Sequence, residues 1–157
     1  MMNNADYQYN KTILLAVDTS ENSLRAVSYV SQMIGGLEGF NVIFLHVINP
    51  PEEDYFPTPT EHDKWLTQYR LKIESLLEKY RQILIQDGFD PKALALRIVL
   101  SYRPSIAECI IEEQNRLGCS TIVVGRQGLS RSEEILFGSV SSKLVGHAKN
   151  CTVWIVE

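Results

Sequence analysis

Long apolar runs, an excess of basic residues and a disulfide-type cysteine pattern are all missing from this sequence. No apolar run approaches the roughly 18–20 residues that cross a bilayer, so we expect no membrane-spanning helix. Lys and Arg together number 15 against 19 Asp and Glu, which gives a net charge of -4. Because nucleic acids and anionic membranes attract basic surfaces, this balance argues against both as main partners.

The N-terminus and the cysteines favour a cytoplasmic protein. Residues 1–7 are polar and carry no signal-peptide core, and we interpret residues 1–10 as a flexible tail. The three cysteines, Cys109, Cys119 and Cys151, are an odd number without the spacing of a metal site. We therefore predict reduced, buried thiols in the cytoplasm.

The length of 157 residues and the hydrophobic content of 45% are typical of one globular domain, residues 1–157. Apolar runs without alternation indicate strands that are buried on both faces of a parallel sheet, and helix-like segments separate these runs. The predicted strands are 11–17, 41–48, 94–100, 121–124 and 152–156, and the predicted helices are 21–34, 63–86, 104–117 and 139–147. This alternation predicts a doubly wound α/β domain, with a five-stranded parallel sheet of order 3-2-1-4-5 and helices on both faces.

The segment 49–62 after the second predicted strand is rich in proline and acidic residues. Its four prolines are Pro50, Pro51, Pro57 and Pro59. Proline lacks a backbone donor and fixes φ, so the segment is predicted to be irregular. Because connections of this length are often functional, we interpret it as a flap near the carboxyl edge of the sheet.

A glycine-bearing loop follows the fourth predicted strand. Gly125-Arg126-Gln127-Gly128 is followed by nine residues and then by Gly138-Ser139, where the last predicted helix begins. Glycines let the backbone approach a ligand, and the free N–H groups at a helix start attract an anion. The loop has neither the Gly-Lys-Ser/Thr ending of a Walker motif nor Gly-x-Gly-x-x-Gly. The residues alone are compatible with a phosphate-binding loop or with a surface turn that caps a helix.

Asp18 follows the first predicted strand and is expected to lie across the switch point of the sheet from Gly125. A carboxylate there could accept a ribose hydroxyl, or hold a divalent cation through water. Alternatively, Asp18 caps the first helix, since it begins the capping sequence Asp18-Thr19-Ser20. The two roles are compatible.

The spacing Gly125-x2-Gly128-x9-Gly138-Ser139 resembles the ATP-binding signature of the universal stress protein family. Three other stretches are also similar to the family: residues 13–20 to its first strand and turn, 45–48 to the end of its second strand, and 138–141 to the start of its last helix. Residues 122–125, before the loop, fit as well. The resemblance covers residues 11–156, with the motifs in the family's order.

The resemblance implies a site for an adenine nucleotide, ATP or a shorter AMP or ADP, together with Mg²⁺. Asp18 would contact the ribose or, through water, the metal at the phosphates, and Val47 would meet the adenine edge through its backbone. The glycines and Ser139 would hold the phosphates, and Arg126 could add positive charge beside them. The implied binding residues are Ala16, Val17, Asp18, Val47, Gly125, Arg126, Gly128, Gly138, Ser139 and Val140.

The predicted function is a nucleotide-binding regulatory protein of the stress response that hydrolyses ATP little or not at all, because no base is specifically placed for a γ-phosphate. The resemblance also implies a homodimer through strand 152–156, whose apolar edge would otherwise be exposed. Two alternatives stay open. One is a slow ATPase or nucleotidyl-transfer enzyme. The other is a dimeric interaction module without nucleotide, whose pocket is filled by Tyr102.

Overall fold

Strands and helices alternate along the chain in the computed structural model, which describes residues 9–126 and 140–157. The strands are β1 (Thr12–Ala16), β2 (Asn41–Ile48), β3 (Leu94–Leu100), β4 (Thr121–Gly125) and β5 (Thr152–Val156). The helices in the described part of the chain are α1 (Glu21–Ile34), α2 (Pro59–Gln86), α3 (Ile106–Leu117) and α4 (Val140–His147). Short 3-10 turns lie at Glu53–Tyr55 and Pro91–Ala93.

The five strands form one sheet in the order β3-β2-β1-β4-β5, and every neighbouring pair is parallel. This confirms the predicted doubly wound α/β fold. Strand β1 lies in the centre, with Leu15 opposite Phe44 of β2 and Val123 of β4. The strand order reverses between β1 and β4, so the carboxyl ends of these two strands flank the switch point.

Of the four described helices, two cover each face of the sheet. Helices α1 and α2 pack on the face that carries Ile13, Leu15 and Phe44. Helices α3 and α4 pack on the opposite face, around Leu14 and Leu45. Successive residues of a strand point to opposite faces, which explains why Leu14 and Leu15 belong to different core clusters. The continuous apolar run of β1 therefore supplies both cores.

Helix α2 begins at Pro59, four residues before the predicted start, and this corrects the predicted irregular connection 49–62. The side chain of Thr58 accepts a hydrogen bond from Glu61 N at 3.2 Å, which caps the helix. Proline is well suited to the first helical position, where its missing N–H would be unpaired in any case. The connection therefore ends at Thr58.

Helix α3 begins at Ile106, so Pro104 precedes it instead of lying in its first turn. The N-cap is Ser105, whose hydroxyl accepts a hydrogen bond from Glu108 N at 3.3 Å. At the other end, Gly118 has φ of 65° and terminates the helix in the left-handed conformation that favours glycine.

Asn10, which we predicted to belong to the tail, is bound to the connection between α3 and β4. Its side-chain amide donates to Gly118 O at 2.6 Å, and its Oδ1 accepts from Ser120 N at 3.2 Å. The Ser120 hydroxyl donates to Asn10 O at 2.6 Å. The chain is therefore anchored from Asn10 onwards.

The three cysteines are free thiols. Cys109 and Cys119 are buried as predicted, whereas Cys151 is half-buried. Burial raises the pKa of Cys119 to about 11, so that thiol is protonated at neutral pH. Within the described ranges, none of the helices combines the length and the apolar character needed to cross a bilayer.

Leu77 and Leu71 of α2 provide a matched test of this packing. Leu77 is 0% exposed in the core between α2 and the sheet, whereas Leu71 is 60% exposed. Leu77→Ala is expected to lower the free energy of unfolding by about 2–5 kcal/mol, because it leaves a cavity. Leu71→Ala is expected to change it by less than about 0.5 kcal/mol. Urea denaturation measures both, and equal losses would contradict the position assigned to α2.

Candidate functional site

A pocket of about 240 Å³ opens at the carboxyl ends of β1, β2 and β4, at the switch point of the sheet. Six of the ten residues predicted from the sequence line it. They are Ala16, Val17, Asp18, Val47, Gly125 and Val140. The volume is slightly below the roughly 300 Å³ at which ligand pockets usually begin. The described part of the pocket is thus suited to a nucleoside-sized group.

The other four predicted residues are not part of this lining. Gly128, Gly138 and Ser139 lie outside the described residues. Arg126 follows β4 at its carboxyl end, where its backbone N–H donates to Val156 O at 2.7 Å. Its guanidinium is paired with Glu157 Oε1 at 3.1 Å and does not line the pocket. A role for Arg126 beside the phosphates stays a prediction.

Asp18, at the end of β1, is held in place by hydrogen bonds to Ser20 and Ser23. Its backbone N–H donates to Ser23 Oγ at 2.8 Å, and the same hydroxyl donates back to Asp18 Oδ1 at 2.8 Å. Ser20 N also donates to Oδ1, at 2.8 Å. The N-cap of α1 is Ser20, whose side chain accepts from Ser23 N. Asp18 therefore organises the turn before the helix and carries a fixed carboxylate into the pocket.

Gly125 is required by packing. A Cβ at this position would lie 2.3 Å from Asn22 O, a backbone atom at the start of α1. No side chain fits there without moving the helix, so the first turn of α1 is pressed against the end of β4. Sequence reasoning assigned Gly125 to a phosphate, and it could not identify Asn22 as the neighbour.

The backbone of Val47 faces the pocket because β1 is shorter than β2. Val17 N donates to Leu45 O at 2.8 Å, so the carbonyl of Leu45 points towards β1. Two residues further on, the N–H and C=O of Val47 point to the same side, beyond the last residue of β1. Within the described residues, no hydrogen bond reaches either group. Val47 thus presents one donor and one acceptor at the rim of the pocket.

His46 lies in the pocket wall with only 5% of its surface exposed. Its Nδ1 is 2.8 Å from Val17 O. Burial lowers the pKa of His46, although the bond to Val17 and the charge of Asp18 act in the opposite direction. The imidazole is therefore neutral at neutral pH.

A row of aromatic side chains connects the pocket to the segment after β2. Tyr69 lines the pocket with its hydroxyl 3.4 Å from His46 Nε2, and its ring is stacked on Trp65 at 5.0 Å. Trp65 in turn contacts Phe56, with 5.9 Å between ring centroids. Sequence reasoning missed Tyr69 as a pocket residue, because its helical spacing indicated only a core-facing position on α2.

Tyr102 does not fill the pocket. It is 60% exposed and is not among the lining residues. Among residues 9–126 and 140–157, no group of three or more His, Cys, Asp or Glu side chains could hold a metal ion. Among the described residues that line the pocket, Asp18 is the one acidic side chain.

An open parallel sheet with helices on both faces defines a doubly wound α/β domain, and in such sheets ligands bind in the crevice at the switch point. The model of the universal stress protein family matches residues 10–157, and the chain belongs to this family. No curated protein sequence matches the chain.

Solved structures of universal stress proteins have the same fold. One, in complex with cAMP, is 21% identical, has a TM-score of 0.69, and the match covers 96% of this chain and 98% of that one. UspA from Lactobacillus plantarum is 19% identical with a TM-score of 0.74, and the match covers 96% and 99%. A protein from Archaeoglobus fulgidus in complex with dAMP is 18% identical with a TM-score of 0.63, and the match covers 95% and 98%.

The buried state of His46 predicts a pH dependence of stability. Because the folded-state pKa lies below the unfolded value near 6.5, the unfolded chain binds more protons as the pH falls. His46 should therefore lower the free energy of unfolding as the pH falls from about 6.5 through the folded-state pKa. His46→Asn keeps a donor for Val17 O but does not titrate. We expect its stability to fall less than that of the wild type between about pH 8 and pH 5, measured by urea denaturation. If the free energy of unfolding depends on pH in the same way in the wild type and in His46→Asn, the assignment of His46 as a buried, neutral imidazole is contradicted.

Proposed function

We propose that this protein binds an adenine nucleotide, ATP in particular, in the pocket at the switch point, and that it acts as a regulator in a stress response with little or no hydrolysis. The observation that carries the proposal is the lining of this pocket, which brings together residues that are far apart in the sequence. Asp18, Val47, Gly125 and Val140 all meet there. The cAMP and dAMP complexes of two structural neighbours add support for an adenine nucleotide.

The chemistry of the pocket matches the parts of such a ligand. The unpaired N–H and C=O of Val47 suit the edge of an adenine base, which carries an acceptor nitrogen beside an amino donor. Ala16 and Val17 provide apolar walls. The carboxylate of Asp18 accepts a ribose hydroxyl or, through water, holds Mg²⁺ that accompanies the phosphates. The phosphates themselves are assigned to the loop with Gly128, Gly138 and Ser139.

Little hydrolysis is expected because the two side chains of the described pocket that could serve as a general base, His46 and Asp18, are already engaged. The Nδ1–H of His46 is bound to Val17 O, and Oδ1 of Asp18 accepts two hydrogen bonds. A general base must be within hydrogen-bond reach of the proton that it removes. The rival assignment is a slow ATPase or nucleotidyl-transfer enzyme, and it requires turnover in the presence of Mg²⁺.

The central test is nucleotide binding by the wild type and by Gly128→Val. We expect the wild type to release an adenine nucleotide on denaturation, or to bind added ATP in calorimetry with and without Mg²⁺. Gly128→Val should lower ATP affinity at least about tenfold, because the side chain occupies the space that the phosphates need.

Gly146→Val is the matched control. A Cβ at Gly146 of α4 meets nothing within 4 Å, so this variant should bind ATP like the wild type. Unchanged affinity of Gly128→Val would overturn the phosphate assignment. Absence of any nucleotide, before and after addition of ATP, would overturn the proposed function and favour an interaction module.

We further propose a homodimer through β5, in a cytoplasmic protein whose protonated thiols suit a reducing compartment. Strand β5 is an edge strand of the sheet, and its Ile155 is 42% exposed. An apolar edge strand of this kind pairs readily with another strand. Ile155→Lys is expected to convert a dimer into a monomer in sedimentation velocity, whereas Leu71→Lys, at a 60% exposed position of α2, should not. A wild-type monomer at all concentrations would contradict the dimer.

A further inference from the structure

The backbone carbonyl of Val17 determines which group donates and which accepts in the two hydrogen bonds of His46 in the pocket wall. A carbonyl oxygen only accepts, so Nδ1 of His46, 2.8 Å away, carries the proton. Burial keeps this imidazole neutral. A neutral imidazole with its proton on Nδ1 has an acceptor at Nε2. The Tyr69 hydroxyl, 3.4 Å from Nε2, must therefore donate to it.

As a result, the phenol oxygen of Tyr69 offers only lone pairs to the pocket. Its own proton is directed at His46, so the oxygen can accept a hydrogen bond from a ligand and cannot donate one. The ring has little freedom to turn away, because it is stacked on Trp65 with an interplanar angle of 9° and 5.0 Å between centroids. Tyr69 thus presents a fixed acceptor in a pocket that it lines.

A second acceptor lines the same pocket. It is the carboxylate of Asp18, which is held in place by Ser20 and Ser23. Asp18 directly follows Val17, whose carbonyl binds the imidazole that Tyr69 contacts. The pKa of Tyr69 is raised, first by burial and then by the negative charge of Asp18. Two acceptors in one pocket suit a vicinal diol, in which each hydroxyl donates one hydrogen bond.

We propose that Tyr69 determines the sugar specificity of this site: its phenol oxygen accepts a hydrogen bond from one hydroxyl of the ribose 2′,3′-diol, and Asp18 accepts from the other. This inference rests on the proposed adenine-nucleotide function and deepens it. A deoxynucleotide that lacks the hydroxyl facing Tyr69 leaves the phenol lone pairs unpaired in the pocket. Sites built to bind a ligand hydroxyl discriminate against analogues that lack it.

The experiment compares ATP, 2′-deoxy-ATP and 3′-deoxy-ATP by calorimetry on the full chain. The wild type should bind ATP about threefold to tenfold more tightly than the deoxynucleotide that lacks the hydroxyl facing Tyr69. This range corresponds to the loss of one neutral hydrogen bond. In Tyr69→Phe this ratio should fall to about one, while the ratio for the other deoxynucleotide stays as in the wild type. A purely structural effect would weaken all three ligands equally.

Tyr80→Phe is the matched control. Tyr80 lies on the same helix, and its hydroxyl donates to the backbone oxygen of Asp18 at 3.2 Å, but Tyr80 does not line the pocket. This variant should keep both ratios of the wild type. The thermal unfolding midpoints of both variants, followed through tryptophan fluorescence, show that they are folded.

The outcomes separate this inference from the proposed function. If the wild type binds ATP and both deoxynucleotides equally, or if Tyr69→Phe changes neither ratio, the role of Tyr69 is wrong while nucleotide binding stands. The same holds if Tyr80→Phe abolishes the preference as completely as Tyr69→Phe does. If the wild type binds none of the three nucleotides, the proposed function and this inference are both overturned.

Discussion

The pairing of β1 with β2 on one side and with β4 on the other is the constraint on which the remaining structure depends. Parallel neighbours on both sides place β1 at the point where the strand order reverses, so that helices α1 and α2 cover one face and α3 and α4 the other. Helix α1, which follows β1, and helix α4, which follows β4, lie on opposite faces of the sheet, and a crevice opens beyond the carboxyl ends of these two strands. Strand β1 ends at Ala16 while β2 continues to Ile48, so the backbone of Val47 remains available to a ligand.

Polar groups at this crevice are arranged by the backbone before any ligand arrives. The carbonyl of Val17 fixes the tautomer of His46, and His46 fixes the direction in which Tyr69 donates. The Ser23 hydroxyl and the N–H of Ser20 fix the carboxylate of Asp18. Groups held in this way pay little ordering entropy when they bind a ligand, which is the physical meaning of a preorganised site. The row from Tyr69 through Trp65 to Phe56 links the same crevice to the segment after β2.

The sequence predicted the bounds of helices and strands correctly where each residue pattern favours only one structure. The predicted bounds were less accurate where a residue is compatible with two structures. The bounds of α1, β2, β3 and β5 agree with the prediction, because apolar runs and stop signals coincide there. Proline both interrupts regular structure and begins helices, so Pro59 could be assigned to the loop or to the helix. Thr58 decides this by capping. Similarly, Asp18-Thr19-Ser20 offers three capping residues, and only the folded turn selects Ser20.

The sequence by itself determined the alternation of buried strands and helices, hence the doubly wound fold, and it pointed to six residues that line the pocket. The fold follows from local periodicity, whereas the six pocket residues follow from the resemblance of the chain's motifs to the universal stress protein family. Tertiary structure alone decided that Tyr69 meets His46, that Asn22 leaves no room for a side chain at Gly125, and that Arg126 pairs with Glu157. The reason is that such contacts join residues far apart along the chain, and their geometry depends on how the helices settle on a twisted sheet.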